Sequence, residues 1–314
     1  MKNLLAVWGL ICLAALVLGT GVASGQSTGS IVAWGYNGQG QCNVPAPNSD
    51  FVAVAGRHVH SLGLRSDGTI VTWGTNSSGQ CDVPAPNADF VAVAAGRYHS
   101  LGLKSDGTIV AWGSDLHGVC DVPVPNAGFV AVAAGYYHSL GLKSDGTIVA
   151  WGRNDHGQCD VPAPNADFVA LAAGGYHGLG VKSDGTIVAW GFNDWGQCDV
   201  PAPNADFVAV AGGKHHSLGL KSDGTIVAWG DNVFGQCDVL APNAGFVAVA
   251  GGYGHSLGLK SDGTIVAWGW NIFGQCDVPA PNADFVAVAG GYQHSLGLKS
   301  DGTIVAWGWN GYGQ

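Results

Sequence analysis

Residues 90–113 read FVAVAAGRYHSLGLKSDGTIVAWG, and nearly the same stretch recurs along most of the 314-residue chain. Three of its positions recur every 39 residues without an insertion. The Phe series is Phe51, Phe90, Phe129, Phe168, Phe207, Phe246 and Phe285. The His series is His60, His99, His138, His177, His216, His255 and His294, and the Trp-Gly series is Trp34, Trp73, Trp112, Trp151, Trp190, Trp229, Trp268 and Trp307. A fixed period of this kind indicates seven copies of one structural unit.

Each unit predicts three β-strands. In the second complete unit, strand A covers residues 90–94, strand B covers 99–104 and strand C covers 108–112. Ser105, Asp106 and Gly107 form an Asp-Gly hairpin signal between strands B and C. Residues 120–126 (CDVPVPN) contain two prolines, which do not fit a central strand. This stretch is therefore a connection with at most a short edge strand before Pro123.

These units predict an all-β fold, a seven-bladed β-propeller of 39-residue repeats with about three antiparallel strands per blade. Both faces of strand C are apolar, as in residues 109–112, so each small sheet must stack on neighbours. The rival is a linear solenoid, which would need divergent polar caps that the repeats do not show. Seven complete units span residues 51–308, and a partial copy supplies an eighth C strand at residues 30–34. Either one C strand is displaced, or the two ends compete to close the ring, or the sequence is a fragment of a longer array.

The first 25 residues differ in kind from the repeats. Lys2 is followed by an apolar run over residues 4–18 and by small residues up to Gly25. This pattern predicts a signal peptide over residues 1–25, with the propeller domain over 26–314 and no membrane insertion after cleavage. The protein is then secreted, to the extracellular space or the periplasm. An uncleaved anchor helix is the alternative, although the run is short for one.

The charged residues argue against several classes of function. The formal net charge is −10, and the 12 Lys and Arg residues are scattered, which excludes a basic nucleic-acid-binding surface. All 22 acidic residues are Asp, so the glutamate pair of glycoside hydrolases is absent. The sequence shows no phosphate-binding loop and no nucleophile paired with a base. We interpret the chain as a protein that is not an enzyme, with no catalytic residues and no cofactor.

Three repeated polar residues have structural interpretations. The His series is predicted to form hydrogen bonds within its own blade, because equivalent atoms of neighbouring blades do not converge as metal ligands must. The Asp of each Asp-Gly pair is predicted to support its own turn. The Cys series is Cys42, Cys81, Cys120, Cys159, Cys198, Cys237 and Cys276. Ring symmetry separates these positions by about 9–13 Å, beyond the ~7 Å limit for a disulfide, so we expect buried free thiols and no metal site.

The full repeat resembles that of a known family. The pattern Ala-Gly-x-x-His-Ser-Leu-Gly-Leu-Lys-Ser-Asp-Gly-Thr-Ile-Val-Ala-Trp-Gly-x-Asn-x-x-Gly-Gln is similar to the regulator-of-chromosome-condensation repeat over residues 30–314. The short period and the Val-Pro after Gly-Gln resemble its bacterial branch, which includes a secreted, seven-bladed β-lactamase inhibitor protein. The resemblance implies a propeller and a protein-interaction role. It does not imply guanine-nucleotide exchange, which belongs to the nuclear members.

Variation among the copies is confined to two short segments. One lies between strands A and B, and the other follows the Trp-Gly of strand C. Because strands A and C run in the same direction, both segments lie on one end of every blade, and the nearly constant Asp-Gly hairpin lies on the other. All eight tyrosines of the chain fall in these segments. Neutral drift in loops is the alternative explanation, but drift would not collect every tyrosine.

Aromatic side chains with a few cations are typical of a binding face. The predicted partner-binding residues are Tyr98, Tyr136, Tyr137, Arg153, Tyr176, Phe192, Trp195, Phe234, Tyr253, Trp270, Phe273, Tyr292, Trp309 and Tyr312. The later of these are predicted to form an aromatic arc that serves as the hot spot. We expect a monomer that binds a protein partner, with inhibition of a secreted enzyme as a narrower form. A polysaccharide is the alternative partner, although a multivalent lectin would repeat its pocket and these copies differ.

Overall fold

The computed structural model describes residues 31–32, 50–58, 60–301 and 304–308, and the described residues contain strands and turns but no helix. Seven sheets follow one another along the chain, and each is a blade. The strands are β1 (Ile31–Val32); β2 (Phe51–Gly56), β3 (His60–Arg65) and β4 (Ile70–Gly74) in blade 1; β5 (Phe90–Ala95), β6 (His99–Lys104) and β7 (Ile109–Gly113) in blade 2; β8 (Phe129–Ala134), β9 (His138–Lys143) and β10 (Ile148–Gly152) in blade 3; β11 (Phe168–Ala173), β12 (His177–Lys182) and β13 (Ile187–Gly191) in blade 4; β14 (Phe207–Gly212), β15 (His216–Lys221) and β16 (Ile226–Gly230) in blade 5; β17 (Phe246–Gly251), β18 (His255–Lys260) and β19 (Ile265–Gly269) in blade 6; and β20 (Phe285–Gly290), β21 (His294–Lys299) and β22 (Ile304–Gly308) in blade 7. The seven-bladed propeller predicted from the sequence is confirmed.

Strands A, B and C of each blade are antiparallel neighbours in that order. The A strands of adjacent blades contact one another around the ring, so strand A is innermost and strand C outermost. The prediction for the Asp-Gly turn is confirmed, since the Asp106 carboxylate accepts hydrogen bonds from the backbone N–H and the hydroxyl of Thr108. Gly107 has a φ of 80°, a left-handed conformation that favours glycine.

The core lies between blades. Leu101, Leu103 and Ile109 of blade 2 pack against Phe129 and Trp151 of blade 3, and the equivalent residues repeat this contact around the ring. Phe129 is only 3% exposed, and burying a side chain of this size contributes about 1.5–3 kcal/mol. Each sheet therefore buries its apolar side chains against the neighbouring blade.

The ring closes between the first and last blades. Phe51 and Trp73 of blade 1 share a buried cluster with Leu296 and Leu298 of blade 7. The partial N-terminal copy contributes β1, which pairs in parallel with β22 and adds a fourth strand to blade 7. The eighth C strand is thus displaced to the outer edge of blade 7, which was one of the three possibilities left by the sequence.

The stretch that leaves strand C returns along the outer edge of the blade without forming a strand. At its far end, the Asn87 side chain accepts from the N–H of Ile70 and donates to its carbonyl, both at 2.8 Å. At its near end, the Gln80 carbonyl accepts hydrogen bonds from Ser100 and from the Trp112 indole, both on blade 2. Each connection therefore fastens its own blade to the next one.

The histidine series contradicts one prediction. The Nε2 atom of His99 lies 3.0 Å from the Ser139 hydroxyl, which belongs to the next blade rather than to the same blade. Equivalent pairs across blades are His60–Ser100, His177–Ser217, His216–Ser256 and His255–Ser295. The predicted bond within a blade is wrong because this first position of strand B faces the neighbouring sheet. His138 has no hydrogen-bond partner at Nε2, because the residue of blade 4 that corresponds to the partner serine is Gly178.

The cysteine series also departs in part from the prediction. The six cysteines in the described part of the chain are free thiols, as predicted, but they are half-buried rather than buried. Each thiol lies near the carbonyl six residues earlier, as for Cys198 Sγ and the Phe192 oxygen at 3.4 Å. The seventh, Cys42, lies outside the described residues.

Candidate binding face

The two variable segments form one continuous surface, which we call the variable face. It consists of the turns between strands A and B and the loops after strand C. The loop binds the turn of its own blade through the backbone: the N–H of Arg153 donates to the Tyr137 carbonyl at 2.7 Å, and the N–H of Trp270 donates to the Gly254 carbonyl at 2.8 Å. The predicted placement of both segments at one end of the blades is confirmed.

Aromatic rings on the variable face form a single contact network among the described residues. The later part of it runs from Phe234 through Trp270 and Tyr253 to Tyr292, with Trp270 also against Phe273. Two further contacts, from Tyr292 to His58 and from His58 to Tyr136, cross the region of the ring axis.

The earlier part of the network continues from Tyr136 to Tyr176 and then to Phe192, His215 and Trp195. Tyr98 and Tyr137 join it through His58. Over the described residues, the late aromatics predicted to form one arc fall into two groups, Phe192 with Trp195 around His215, and Phe234 with Trp270 and Phe273. The two groups are linked across the centre of the face, and their role as the hot spot stays a prediction. Trp309 and Tyr312 lie outside the described residues, so their part in it stays a prediction.

The outer edge of the variable face exposes apolar side chains, and we call this set the apolar rim. Its members come from the loops after strand C: Leu116, Trp195, Val233, Phe234 and Ile272. Ile272 is 75% exposed and Trp195 is 50% exposed. Sequence reasoning missed Leu116, Val233 and Ile272, although all three occupy the same loop position, where other repeats have Ser77, Asp155 and Asp194.

The centre of the variable face is different in character. Residues of five blades line a shallow depression at the ring axis, which we call the axial mouth; they include Arg57, Tyr136, Lys214, Tyr253 and Tyr292. The Lys214 ammonium donates to the Tyr253 hydroxyl at 2.7 Å, and Tyr136 is only 6% exposed. Burial raises the pKa of the Tyr136 hydroxyl, which therefore stays protonated.

Several other polar groups of the face are neutral or paired. Arg153, a predicted binding residue, forms an ion pair with Asp155, with its Nε donating to the carboxylate at 2.7 Å. Burial, reinforced by nearby cations, lowers the pKa of His58 and of His215 to about 4, so both imidazoles are neutral near pH 7. The indole N–H of Trp270 is buried without a protein acceptor.

The described residues show neither a metal-binding cluster nor a helix that could span a membrane. Within the described residues, no three His, Cys or Asp side chains are grouped in a way that could hold a metal ion. The same residues include no helix with the length and apolar character that crossing a membrane requires. The predicted signal peptide lies outside them and stays a prediction.

The repeat itself identifies the family. The family model for the Regulator of chromosome condensation (RCC1) repeat matches residues 54–80, 90–119, 129–158, 168–197, 207–236, 246–275 and 285–314. The chain belongs to this family. Most of the matches begin at the Phe that opens strand A and end on the loop after strand C, so one RCC1 repeat corresponds to one blade with its part of the variable face.

Solved structures of other proteins share the fold. Prp20p from Saccharomyces cerevisiae is 20% identical with a TM-score of 0.72, over 88% of this chain and 92% of that one. The CRINKLY WD40 ectodomain of the Arabidopsis thaliana receptor kinase ACR4 is 22% identical with a TM-score of 0.65, over 83% of this chain and 98% of that one. Identities this low establish the fold alone. A comparison with curated protein sequences finds no match.

Proposed function

We propose that this RCC1-repeat protein is a non-catalytic binding module that recognises a protein partner through its variable face. The apolar rim is the observation that carries the proposal. Trp195 and Phe234 are half-exposed aromatics, and Val233 and Ile272 beside them are more exposed still. Exposed apolar side chains that cluster on one surface are typical of an interaction site.

The opposite end of the molecule supports the proposal by contrast. There, each Asp-Gly hairpin repeats the same contacts, with Asp106, Asp145 and Asp184 bound to the threonine two residues on. An end that repeats seven times presents no unique surface to a single partner, whereas the variable face differs at every blade. Specific recognition therefore belongs to the variable face.

A protein fits the variable face better than a polysaccharide does. A multivalent lectin would repeat one pocket around the ring, but the residues at the equivalent turn position include Arg97, Tyr136, Gly175 and Lys214. The yeast relative Prp20p is described with its binding properties to Gsp1p and histones, so this fold is compatible with protein recognition. Export through residues 1–25 and action as a monomer are parts of the same proposal.

The test is capture of partners with rim variants. The purified protein and a Trp195→Ser/Phe234→Ser variant are each exposed to the extracellular fraction of the source cells and, separately, to a glycan array. The matched control is Val124→Ser, which removes a 91% exposed apolar side chain from the outer connection, away from the variable face. We expect a protein held by the parent and the control but lost from the rim variant. If the parent binds a glycan that the rim variant does not bind, and no protein is captured, the proposal of a protein partner is overturned.

A further inference from the structure

Arg57 breaks a rule that the other six repeats keep. At the equivalent position, the other six repeats all have glycine: Gly96, Gly135, Gly174, Gly213, Gly252 and Gly291. Glycine is required in those blades because a Cβ atom at Gly96 would lie 2.1 Å from the His99 ring. Blade 1 instead carries the largest cationic side chain at this position. A departure of this kind from a local rule is typical of a functional site.

The Arg57 side chain extends across the ring axis. Its Nη1 donates to the Ala173 carbonyl, on the far side of the ring in blade 4, at 3.2 Å. Its guanidinium carbon lies 5.5 Å from the centre of the Tyr136 ring. Burial lowers the pKa of Arg57, which means that the surroundings disfavour its charge. A guanidinium has five N–H donors, and one carbonyl and one ring face do not satisfy them.

Two more cations lie beside Arg57 without an anionic partner. Arg97 donates to the Tyr137 hydroxyl at 2.9 Å and lies 5.5 Å from the Tyr136 ring, and Lys214 donates to the Tyr253 hydroxyl. The one ion pair in the described part of the chain is Arg153–Asp155, on an outer loop. Two cations, Arg57 and Lys214, thus line the axial mouth, and Arg97 lies near the Tyr136 ring, in a protein whose net charge is −10.

We propose that the axial mouth is a receptor for a carboxylate, presented by an acidic side chain of the protein partner. An arginine fork binds a carboxylate with two parallel hydrogen bonds, and the neighbouring ammonium and tyrosine hydroxyls can complete its shell. The exposed carboxylates of the face that form no ion pair, such as Asp115 and Asp194, lie on the outer loops. An acidic loop is therefore attracted to the centre and repelled from the edge, which fixes how the partner docks.

The source of the carboxylate rests on the proposed function. The aromatic network surrounds the mouth, so the side chains that flank an acidic residue in a peptide can pack against its rings. A free inorganic anion makes no such contacts. We therefore assign the site to a single Glu or Asp at the tip of a partner loop.

The test is an NMR titration of the purified, ¹⁵N-labelled protein. The probes are the capped tripeptide Tyr-Glu-Tyr, its Tyr-Gln-Tyr counterpart and inorganic phosphate, each raised to about 10 mM, a range that detects millimolar dissociation constants. The amide signals of Tyr253 and Tyr292 report on the mouth. We expect the glutamate peptide to move them, the glutamine peptide to leave them in place, and added salt to weaken the effect.

Variants make the result specific. Arg57→Gly restores the residue of the other repeats, and Lys214→Gln removes a second cation; we expect each to weaken the glutamate peptide at least about tenfold, as loss of one partner of a charge pair does. Lys260→Gln removes the same charge from the opposite end of blade 6, where its ammonium lies over Phe246, and should change nothing. Equal shifts with both peptides, no shift at all, or unchanged binding to Arg57→Gly would overturn the proposal. Shifts with phosphate alone would replace it with a free-anion site.

This titration is independent of the capture experiment. If the glutamate peptide does not bind at the mouth, but the apolar rim still captures a partner, the carboxylate site is disproved and the proposed function stands. If the peptide binds at the mouth, but the rim variant captures partners as well as the parent does, the proposed function is disproved and the carboxylate site stands.

Discussion

The imidazole of His99 and the hydroxyl of Ser139 join two neighbouring blades, with Nε2 and Oγ 3.0 Å apart. Ser139 donates its own hydrogen to the carbonyl of Val119, which belongs to the blade of His99. The imidazole must therefore be the donor, which assigns its proton to Nε2. Each serine of this kind is held twice by the preceding blade, and the pairs form a buried polar series between the sheets that is interrupted at Gly178.

Removing one serine should weaken the ring at that interface. In Ser139→Ala, the buried N–H of His99 loses its acceptor, and an unsatisfied buried polar group costs about 1–3 kcal/mol. We expect the free energy of unfolding, measured by urea denaturation, to fall by this amount. Ser105→Ala, at an exposed hairpin position, is the control and should be neutral. A Ser139→Ala variant as stable as its control would show that the bond contributes nothing.

The buried histidines predict that stability depends on pH. Burial lowers the pKa of His99 and His138 to about 3 and of His60 to about 4, whereas an unfolded chain has the ordinary value near 6.5. Between these values the imidazoles are neutral when folded and charged when unfolded, so unfolding takes up protons. Stability is therefore full above about pH 6.5 and falls as the pH is lowered towards 4.

The measurement is the free energy of unfolding at several pH values between about 7 and 4.5, a window in which histidine is the side chain that titrates. Each buried imidazole should contribute up to about 1.4 kcal/mol per pH unit. In His99→Gln the slope should decrease by about one proton. A stability that is flat across this window would contradict the burial of the series.

The cysteines should react slowly despite being half-exposed. Burial raises the pKa of the Cys159 thiol to about 11 and of the Cys198 thiol to about 12, which lowers the fraction of reactive thiolate. Against an ordinary value near 8.5, alkylation by iodoacetamide at mildly alkaline pH should be at least about 100-fold slower than in the urea-unfolded chain. Mass spectrometry of each Cys-containing peptide gives the rates. Equal rates in the folded and unfolded states would mean that the thiols are free to ionise.

Much of the fold could be predicted because the repeat gives each local feature several independent copies. Asp106 and Gly107 act within their own turn, so the turn and the strands on either side of it could be predicted from the local sequence. The contact between His99 and Ser139 could not be predicted, because it depends on which neighbouring sheet each side chain faces. The place of β1 likewise depends on competition between the chain ends, which no local pattern encodes.

The candidate site shows the same division. The aromatic residues of the variable face were predicted from their confinement to two segments. Arg57 follows a glycine, as Arg97 does, so the local sequence alone groups the two as equivalent turn residues. A strict 39-residue register would have aligned Arg57 with Gly96 and marked it as the exception. Ile272 was missed because a single apolar residue in a loop carries little signal until its exposure is known.

Site-specific photo-crosslinking tests most directly whether the variable face is the binding surface. A photoreactive amino acid replaces either Val233, a 70% exposed member of the apolar rim, or Asp223, in the Asp-Gly hairpin of the same blade. Both proteins are irradiated in the extracellular fraction from which the partner is captured. A partner crosslinked from position 233 and not from position 223 is the predicted result. Crosslinking from position 223 alone would place recognition on the hairpin end and contradict the account.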